Sequence, residues 1–446
     1  MRLKTFRLGG VHPPEGKLTA GAAVVPMPMP SEAIMLVSQH IGAPAEVVVQ
    51  KGDTVKVGQL LAKSTGFVSA NMHSSVSGTV TKIDKVLDAS GYAKPAIYIA
   101  VDGDEWMEGI DRSADIVRQC DLEPAEIIKR IGEAGIVGMG GATFPTHVKL
   151  SVPAGRKAEF LIINAVECEP YLTADHRVML ERGEEVLIGV DILRKALGNP
   201  ETIIGIENNK PDAIAHLQKL AAEFPGITVQ PLKVKYPQGG EKQLIEAVTR
   251  REVPAGKLPI DVGAVVQNVG TALAVYEAIQ KNKPLIERVV TITGYGVKNP
   301  MNVLARVGTP ITNLLEFAGG LTDDAAKVIS GGPMMGKALK NLGAPVAKGT
   351  SGVLVMPERL AYREKEQQCI RCAKCSFGCP MGLEPYLLYR LAQRSMLENL
   401  EQEEVMSCIE CGSCSYTCPA ALPLLDFIRL GKGATGAMIR ARNAKK

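Results

Sequence analysis

Short β-branched runs separated by turn residues fill the first quarter of the chain. Between residues 33 and 101 the apolar positions fall in Ala45-Glu46-Val47-Val48-Val49, Gly52-Asp53-Thr54-Val55, Gly58-Gln59-Leu60-Leu61-Ala62 and Val76-Ser77-Gly78-Thr79-Val80. Strands of four or five residues at this spacing predict a small sandwich or barrel. Ahead of them, residues 1–32 carry Gly9-Gly10-Val11-His12-Pro13-Pro14 and then Pro26, Pro28 and Pro30 at alternate positions. Proline fixes φ and has no amide donor, so this segment reads as an extended arm rather than a helix or a central strand. His12 reads as a packed or solvated side chain of that arm.

From residue 111 the period changes. A polar helix over residues 123–134 precedes the apolar run Phe160-Leu161-Ile162-Ile163, suited to a buried parallel strand. Helix 185–197, strand 202–206, helix 211–223, strand 227–234, a helix opening at Glu241 and another over 272–280 follow, and such alternation predicts a largely parallel sheet. Residues 284–356 then run strand, turn, strand, helix (311–318), strand, the plan of a small β-grasp unit. Residues 383–407 are rich in Leu, Glu, Gln and Arg at helical spacing, with Leu387, Leu391 and Leu400 as expected core contacts.

At 446 residues the chain has room for roughly three or four domains. Its 51 basic and 47 acidic residues leave a net charge of +4, too little to argue for nucleic acid or a membrane surface. Basic residues do gather at the end, where Arg429, Lys432, Arg440, Arg442, Lys445 and Lys446 read as a solvated tail, or as a contact for an acidic partner or lipid head groups. The opening Met1-Arg2-Leu3-Lys4-Thr5 lacks the apolar core of a signal peptide, and no run of about 18 uncharged apolar residues could span a bilayer.

Eight of the ten cysteines form two runs, Cys369-x2-Cys372-x2-Cys375-x3-Cys379-Pro380 and Cys408-x2-Cys411-x2-Cys414-x3-Cys418-Pro419. This spacing turns three thiolates toward one cubane while the fourth points to a second, so the pairing crosses. Cys369, Cys372, Cys375 and Cys418 are assigned to cluster one, and Cys408, Cys411, Cys414 and Cys379 to cluster two. Zinc knuckles and a disulfide framework are the alternatives, but zinc sites ordinarily use widely spaced C-x-x-C pairs. Thiolate clusters also place the chain in a reducing, intracellular compartment. Of the remaining two cysteines, Cys168 lies between Glu167 and Glu169, whose charge disfavours a thiolate, so it reads as a packed small side chain.

Other chemistry gathers in the central region. Gly138, Gly140 and Gly141 precede Phe144-Pro145-Thr146 and Lys149, a loop whose N–H groups can turn onto a phosphate beside a point charge. The strand at 160–163 ends in Asn164-Ala165-Val166-Glu167-Cys168-Glu169-Pro170, and open α/β sheets bind ligands at such strand ends. Further on come Tyr236-Pro237-Gln238-Gly239-Gly240-Glu241 and the helix cap Asn268-Val269-Gly270-Thr271.

These four segments, in this order, resemble the flavin-binding subunit of respiratory complex I. The resemblance implies an FMN site open to NADH. It implies Gly138, Gly140, Gly141 and Lys149 as phosphate or nucleotide contacts, and Asn164, Glu167, Asn268 and Thr271 as flavin contacts beside the Gly239 turn. Glu169 and Glu241 would face the nicotinamide, and Phe144 is what remains of the stacking aromatics. Val166 stands where the family has an aspartate, Val152 replaces an aromatic, and no aromatic accompanies Leu258-Pro259, so the flavin half of the resemblance is stronger than the NADH half.

Residues 33–110 are similar to the barrel-sandwich hybrid of biotinyl and lipoyl carriers, with Lys51-Gly-Asp-x-Val-x-x-Gly-Gln followed by Ser-Gly-Thr-Val. The hairpin tip reads Thr65-Gly66-Phe67-Val68 without a modifiable lysine, which points to docking or scaffolding. The expected architecture is a multidomain α/β and α+β chain: arm 1–32, barrel-sandwich hybrid 33–110, FMN/NADH domain 111–283, a soluble-ligand-binding β-grasp (SLBB-like) spacer 284–356, an α-helical two-cluster [4Fe-4S] ferredoxin domain 357–430 and a basic tail 431–446.

That order resembles the C subunit of the Rnf family of ion-translocating ferredoxin:NAD oxidoreductases. It implies a peripheral subunit on the cytoplasmic face of the cell membrane. Such a subunit exchanges electrons between NAD(H), FMN and two 4Fe-4S clusters, and has the membrane-embedded and flavin or iron-sulfur subunits as partners, with ferredoxin served indirectly. The cofactors carry the chemistry, so no side chain is nominated as a catalytic acid, base or nucleophile. Two competing readings are a cobalamin reductase of microcompartments, in which the flavin domain comes first, and an electron-wire or docking subunit that binds no NADH.

Overall fold

The structure, a computed structural model, describes residues 3–444; Met1, Arg2, Lys445 and Lys446 lie outside the described residues. The barrel is built from two antiparallel sheets. One runs Glu32–Leu36, Ala93–Gly103, Ser77–Leu87, Thr54–Val55, and the other Glu46–Val47, Leu60–Lys63, Met72–His73. The expected run at 76–80 continues as an 11-residue strand because the mostly exposed residues 82–87, polar and apolar in no regular alternation, pair along the hairpin with 93–98. Apolar alternation had no means of marking that extension. The expected five-residue strand at 45–49 shortens to Glu46–Val47, its extended pairing with Leu60–Lys63 ending there.

The central domain is a fully parallel four-stranded sheet in the order Ile227–Leu232, Glu201–Glu207, Phe160–Asn164, Ala264–Asn268. The chain leaves the third of these strands on one side and returns by the fourth on the other. Asn164 and Asn268 therefore end adjacent strands in direct register at the point where the strand order reverses. Three helices and strands go beyond the sequence pattern: strand Ala264–Asn268, whose short apolar run merges into the following helix, helix Ala174–Glu181 and the short helix Thr146–Leu150. The helix after that strand, Val269–Gln280, starts earlier than expected because the Asn268 side chain accepts from the N–H groups of Gly270 and Thr271. It packs on helix Gly183–Ala196, and the barrel interior and this helical layer share one continuous apolar core.

The β-grasp sheet contains six strands, and its first comes from the arm. Val24–Pro26 adds in parallel to the edge strand Met301–Arg306, an edge being the place where a sheet tolerates proline. Upstream, Lys4 bridges to Leu232, Val11 bridges to Tyr236, and Phe6 is buried beneath the ammonium of Lys235, 4.0 Å from its ring centre. The extended arm is thus a strap over the central domain and a strand of the next one.

The cysteine-rich domain is α-helical, with helices Lys374–Gly378, Pro385–Gln393, Leu397–Gln402, Ser413–Tyr416 and Leu424–Ala444. Leu400 is buried and Leu391 packs against the core as expected, but Leu387 is 40% exposed and Leu388 takes its place. Starting the helix at Pro385 puts residues 385, 388, 389 and 392 on one face and leaves 387 outside. Nor does a separate tail begin at 431, since the last helix runs through that boundary. Several of its basic residues are engaged: Arg429 and Lys432 pair with Glu410, and Arg442 with Glu401.

Gly189 sits at the crossing of the two packed helices, where an added Cβ would run into the backbone carbonyl oxygen of Ala272. Gly189→Ala should cost on the order of 3 kcal/mol, because the helices must part to admit a methyl group. Denaturant unfolding followed by circular dichroism checks this.

Candidate functional site

The glycine loop lies over the strand ends at the switch point. Its closure is internal, the Gly138 N–H donating to the Phe144 carbonyl at 2.9 Å. Its height over the sheet is set by buried Thr271, whose hydroxyl accepts from the Met139 N–H at 2.9 Å. Gly140 packs on Asn268 so closely that a Cβ there would strike the side-chain amide. Gly140, Gly141 and Ala142 are exposed, and their N–H groups find no acceptor among the described residues. Lys149 reaches in from the short helix Thr146–Leu150, donating to Glu241 at 2.7 Å and to the Val266 carbonyl at 3.1 Å. Free amides beside a lysine at a strand-end crevice suit the phosphate of a nucleotide or flavin.

The other wall is the loop at 165–172. Asn164 donates to the Gly239 carbonyl at 2.8 Å, and Asn268 donates to Asp175 at 2.7 Å. Both Glu167 and Tyr171 take left-handed backbone conformations, with φ of 46° and 70°. Such strain persists only where the surroundings over-determine it. The determinants are two lysines. Lys17 of the arm gives its protons to the carbonyls of Glu167, Glu169 and Leu172 at 2.9, 2.9 and 2.7 Å, and buried Lys210 gives one to Val166 at 2.8 Å. Glu167 in turn accepts from the N–H groups of Asp175 and His176, capping helix Ala174–Glu181.

Glu169 points away from the glycine loop. Its carboxylate accepts from the N–H groups of Met334 and Met335, at 3.2 and 2.7 Å, in the β-grasp turn. Beside it the Tyr236 hydroxyl donates to the Cys411 carbonyl at 2.8 Å. Cys168 accepts from the Gly239 N–H at 3.3 Å, and burial pushes its thiol pKa up, in keeping with a packed rather than reactive side chain. The strand end is thus in direct contact with the second cysteine run.

The eight motif cysteines line two cavities, and the runs cross. Cys379 joins Cys408, Cys411 and Cys414 around one, while Cys418 joins Cys369, Cys372 and Cys375 around the other. The first cavity is walled by Met381, Leu383, Leu388, Leu425 and Ile428. Burial there raises the Cys408 and Cys414 thiols to about 11 and about 12, so thiolates at neutral pH require bound cationic metal. Four thiols around each space, drawn from both runs, fit a pair of cubanes.

Of the nominated residues of the central region, Gly140 packs on Asn268, Lys149 pairs with Glu241 and Asn164 bonds to Gly239, whereas Glu169 turns to the β-grasp unit. Thr271 and Glu167 act from beneath, holding the loop and a helix. Val152 packs into the core and Leu258 is exposed, so neither contributes a stacking ring. Lys17, Lys210, Asp175 and Tyr236 were not nominated from sequence. Asp175 carries a local signal as an acid in the first turn of a helix, and Tyr236 opens the Gly239 turn already singled out, whereas Lys17 and Lys210 carry none.

Four family models match in chain order: an RnfC barrel-sandwich hybrid domain at 4–104, a Nuo51 FMN-binding domain at 131–277, an SLBB domain at 289–338 and a 4Fe-4S dicluster domain at 361–419. The chain is 48% identical, over 90% of its length and 87% of the relative's, to the C subunit of the proton-translocating ferredoxin:NAD(+) oxidoreductase complex of Clostridium ljungdahlii. It is 43% identical to the Na(+)-translocating counterpart of Acetobacterium woodii, over 98% of this chain and 99% of that one. With the C subunit of the ion-translocating oxidoreductase complex of Rhodobacter capsulatus it shares 42% identity over 97% of this chain and 83% of that one. A solved NAD+-reducing [NiFe]-hydrogenase shares the fold over 71% of this chain and 63% of its own, with a TM-score of 0.50 and 19% identity.

Burial raises the carboxyls of Asp175, Glu169 and Glu207 each to about 7, with the charge of Glu167 adding to the effect at Asp175. Each binds its proton more tightly folded than unfolded. The stability they contribute is therefore fully present below the ordinary carboxylate range, near pH 4, and is lost as pH rises through 7. Asp175→Asn should remove part of that loss, about 2 kcal/mol between pH 5 and 8, which denaturant melts of the cofactor-free chain at the two pH values will measure.

Proposed function

Because the chain belongs to the family of C subunits of ion-translocating ferredoxin:NAD oxidoreductase complexes, we propose that it is the peripheral subunit that passes electrons between NAD(H) and the other redox subunits of such a complex. The observation that carries this is the contact between the two sites. Tyr236 touches Cys411, and Glu169, behind the strand-end loop, holds the Met334–Met335 turn that packs against the same cysteine run.

Bound flavin takes up a hydride and releases single electrons, and each bound cubane carries one. The chain's part is position. Gly140, Gly141 and Lys149 would hold the flavin phosphate, while Asn164 and Asn268 line the crevice floor at the ends of their strands. Glu241, paired with Lys149 at 2.7 Å, would face an approaching nicotinamide. The cysteines lie in series from there. The cavity of Cys379, Cys408, Cys411 and Cys414 adjoins the central domain, where Gln243 donates to the Pro380 carbonyl at 3.3 Å. The cavity of Cys369, Cys372, Cys375 and Cys418 lies beyond it, with Cys372 exposed. Electrons would run from crevice to inner cavity to outer cavity, or in reverse.

No described helix is long and apolar enough to cross a membrane, so attachment at the cytoplasmic face would come through partner subunits. The barrel would serve as a brace: His147, at the start of the helix carrying Lys149, donates to the Phe67 carbonyl at the hairpin tip at 2.9 Å.

Anaerobic reconstitution with FMN, iron and sulfide, followed by NADH, tests the proposal. Flavin absorbance should bleach, and cluster absorbance should follow. Reduction by dithionite but not by NADH would instead support the wire subunit, and rapid reduction of added hydroxocobalamin would support the cobalamin reductase. The crossed ligation has its own check. Cys418→Ser should abolish the cluster nominally formed by the first run, and Cys379→Ser that of the second, each seen as loss of one cubane's iron and one electron paramagnetic resonance signal.

A further inference from the structure

The Gly9-Gly10-Val11 stretch of the arm lies against both cysteine runs. Gly9 rests on the carbonyl of Cys379, where an ideal Cβ would stand 2.3 Å from the oxygen, and its φ of 63° is left-handed. Gly10, with a φ of 91°, is pressed among Phe6, Lys235 and the Tyr236 carbonyl, and its N–H donates to the Gly378 carbonyl at 3.0 Å. Val11 exchanges two backbone hydrogen bonds with Tyr236, each of 2.8 Å, and its buried side chain packs with Cys411, Ile409 and Met334. Side chains at 9 and 10 would hold the segment off, so glycine is what lets a bare backbone come this close. The two cysteines it covers belong to different runs, and both line the inner cavity.

Two cavities result that differ in their access to water. Cys379 and Cys411 are 8% and 7% exposed behind the arm, whereas Cys372 of the outer set is exposed. Charge does not separate the two in the same way. Arg429 and Lys432 are offset by Glu410, with Glu169 near Cys411, and Arg371 in the outer lining is offset by Glu384. A cubane held by four thiolates is already anionic, so one more electron is harder to place where water is excluded. We infer that residues 9–11 are a positioning segment that keeps the reduction potential at the inner cavity below that at the outer one, by sealing Cys379 and Cys411 from solvent. Electrons supplied to the chain then settle first at the outer cavity, and one arriving at the inner cavity passes outward downhill. Single electrons move in both steps, with no atom or proton exchanged. The inference rests on the proposed cubane pair.

The test is a redox titration of the full reconstituted chain, with mediators and dithionite supplying one electron per cubane, followed by electron paramagnetic resonance. The Cys418→Ser chain, left with the inner cubane, identifies the inner wave. In the wild type that wave should lie at the lower potential. Gly9→Ala, which lifts the segment, and the milder Val11→Ser, which opens a gap beside Cys411, should each move it up toward the outer wave. The outer wave should stay in place, and the iron of both cubanes should be retained. An inner wave at or above the outer one in the wild type, an inner wave that neither variant moves, both waves moving together, or loss of inner iron in both variants would overturn the inference alone. A wild-type chain that takes up no cubane iron would overturn the underlying reading as well.

Discussion

A peptide loop that turns away from a sheet inside a protein must find partners for its carbonyls, and here most of that requirement falls on one side chain. Lys17 donates to three carbonyls of the loop that ends the central strand. Its ammonium is desolvated there, which lowers its pKa, although the nearby charges of Glu167 and Glu207 pull the other way. With the carbonyls held, Glu167 and Tyr171 can keep their left-handed conformations. Glu167 is then aimed at the next helix, and Glu169 at the β-grasp turn. One wall of the crevice and the contact with the cysteine runs follow from that loop.

The same economy recurs between domains. Lys348, fully buried in the β-grasp unit, donates to Asn71 of the barrel and Gly135 of the central domain, at 2.7 and 2.8 Å, and burial lowers its pKa to about 7. Arg288, buried nearby, donates to the Lys348 carbonyl at 2.6 Å. Cationic side chains spent on backbone carbonyls, rather than on carboxylates, thus tie three domains into a frame. In that frame the glycine loop, the barrel tip and the β-grasp turn have fixed relative positions.

How much of this is legible in the sequence depends on the range of the interaction. Cysteine spacing acts over a few residues, and the two cavities are lined by the two crossed sets that the spacing implies. The βα alternation is legible for the same reason, as is the role of Asn268 as a helix cap. Lys17 gives no sign, because its partners lie 150 to 155 residues away and any lysine in a polar arm looks solvated. Leu387 and Leu388 are adjacent and chemically alike, so only the phase set by the helix start at Pro385 tells them apart. Glu169 is legible as an acid at a strand end but not in its direction, since that is decided by the turn at Met334, in another domain.

The N-terminal strap has a temporal meaning too. It leaves the ribosome well before its partners: Asn302 donates to the Thr19 carbonyl across a separation of 283 residues, and Gly9 lies against the Cys379 carbonyl. Such non-local contacts form slowly and only after their partners have been made. The part of the strap that meets the central domain, through Lys4, Val11 and Lys17, has its partners earlier, whereas the part that meets the β-grasp strand and the cysteine loops must wait for them. Seating of the whole strap therefore comes after the central domain has its fold.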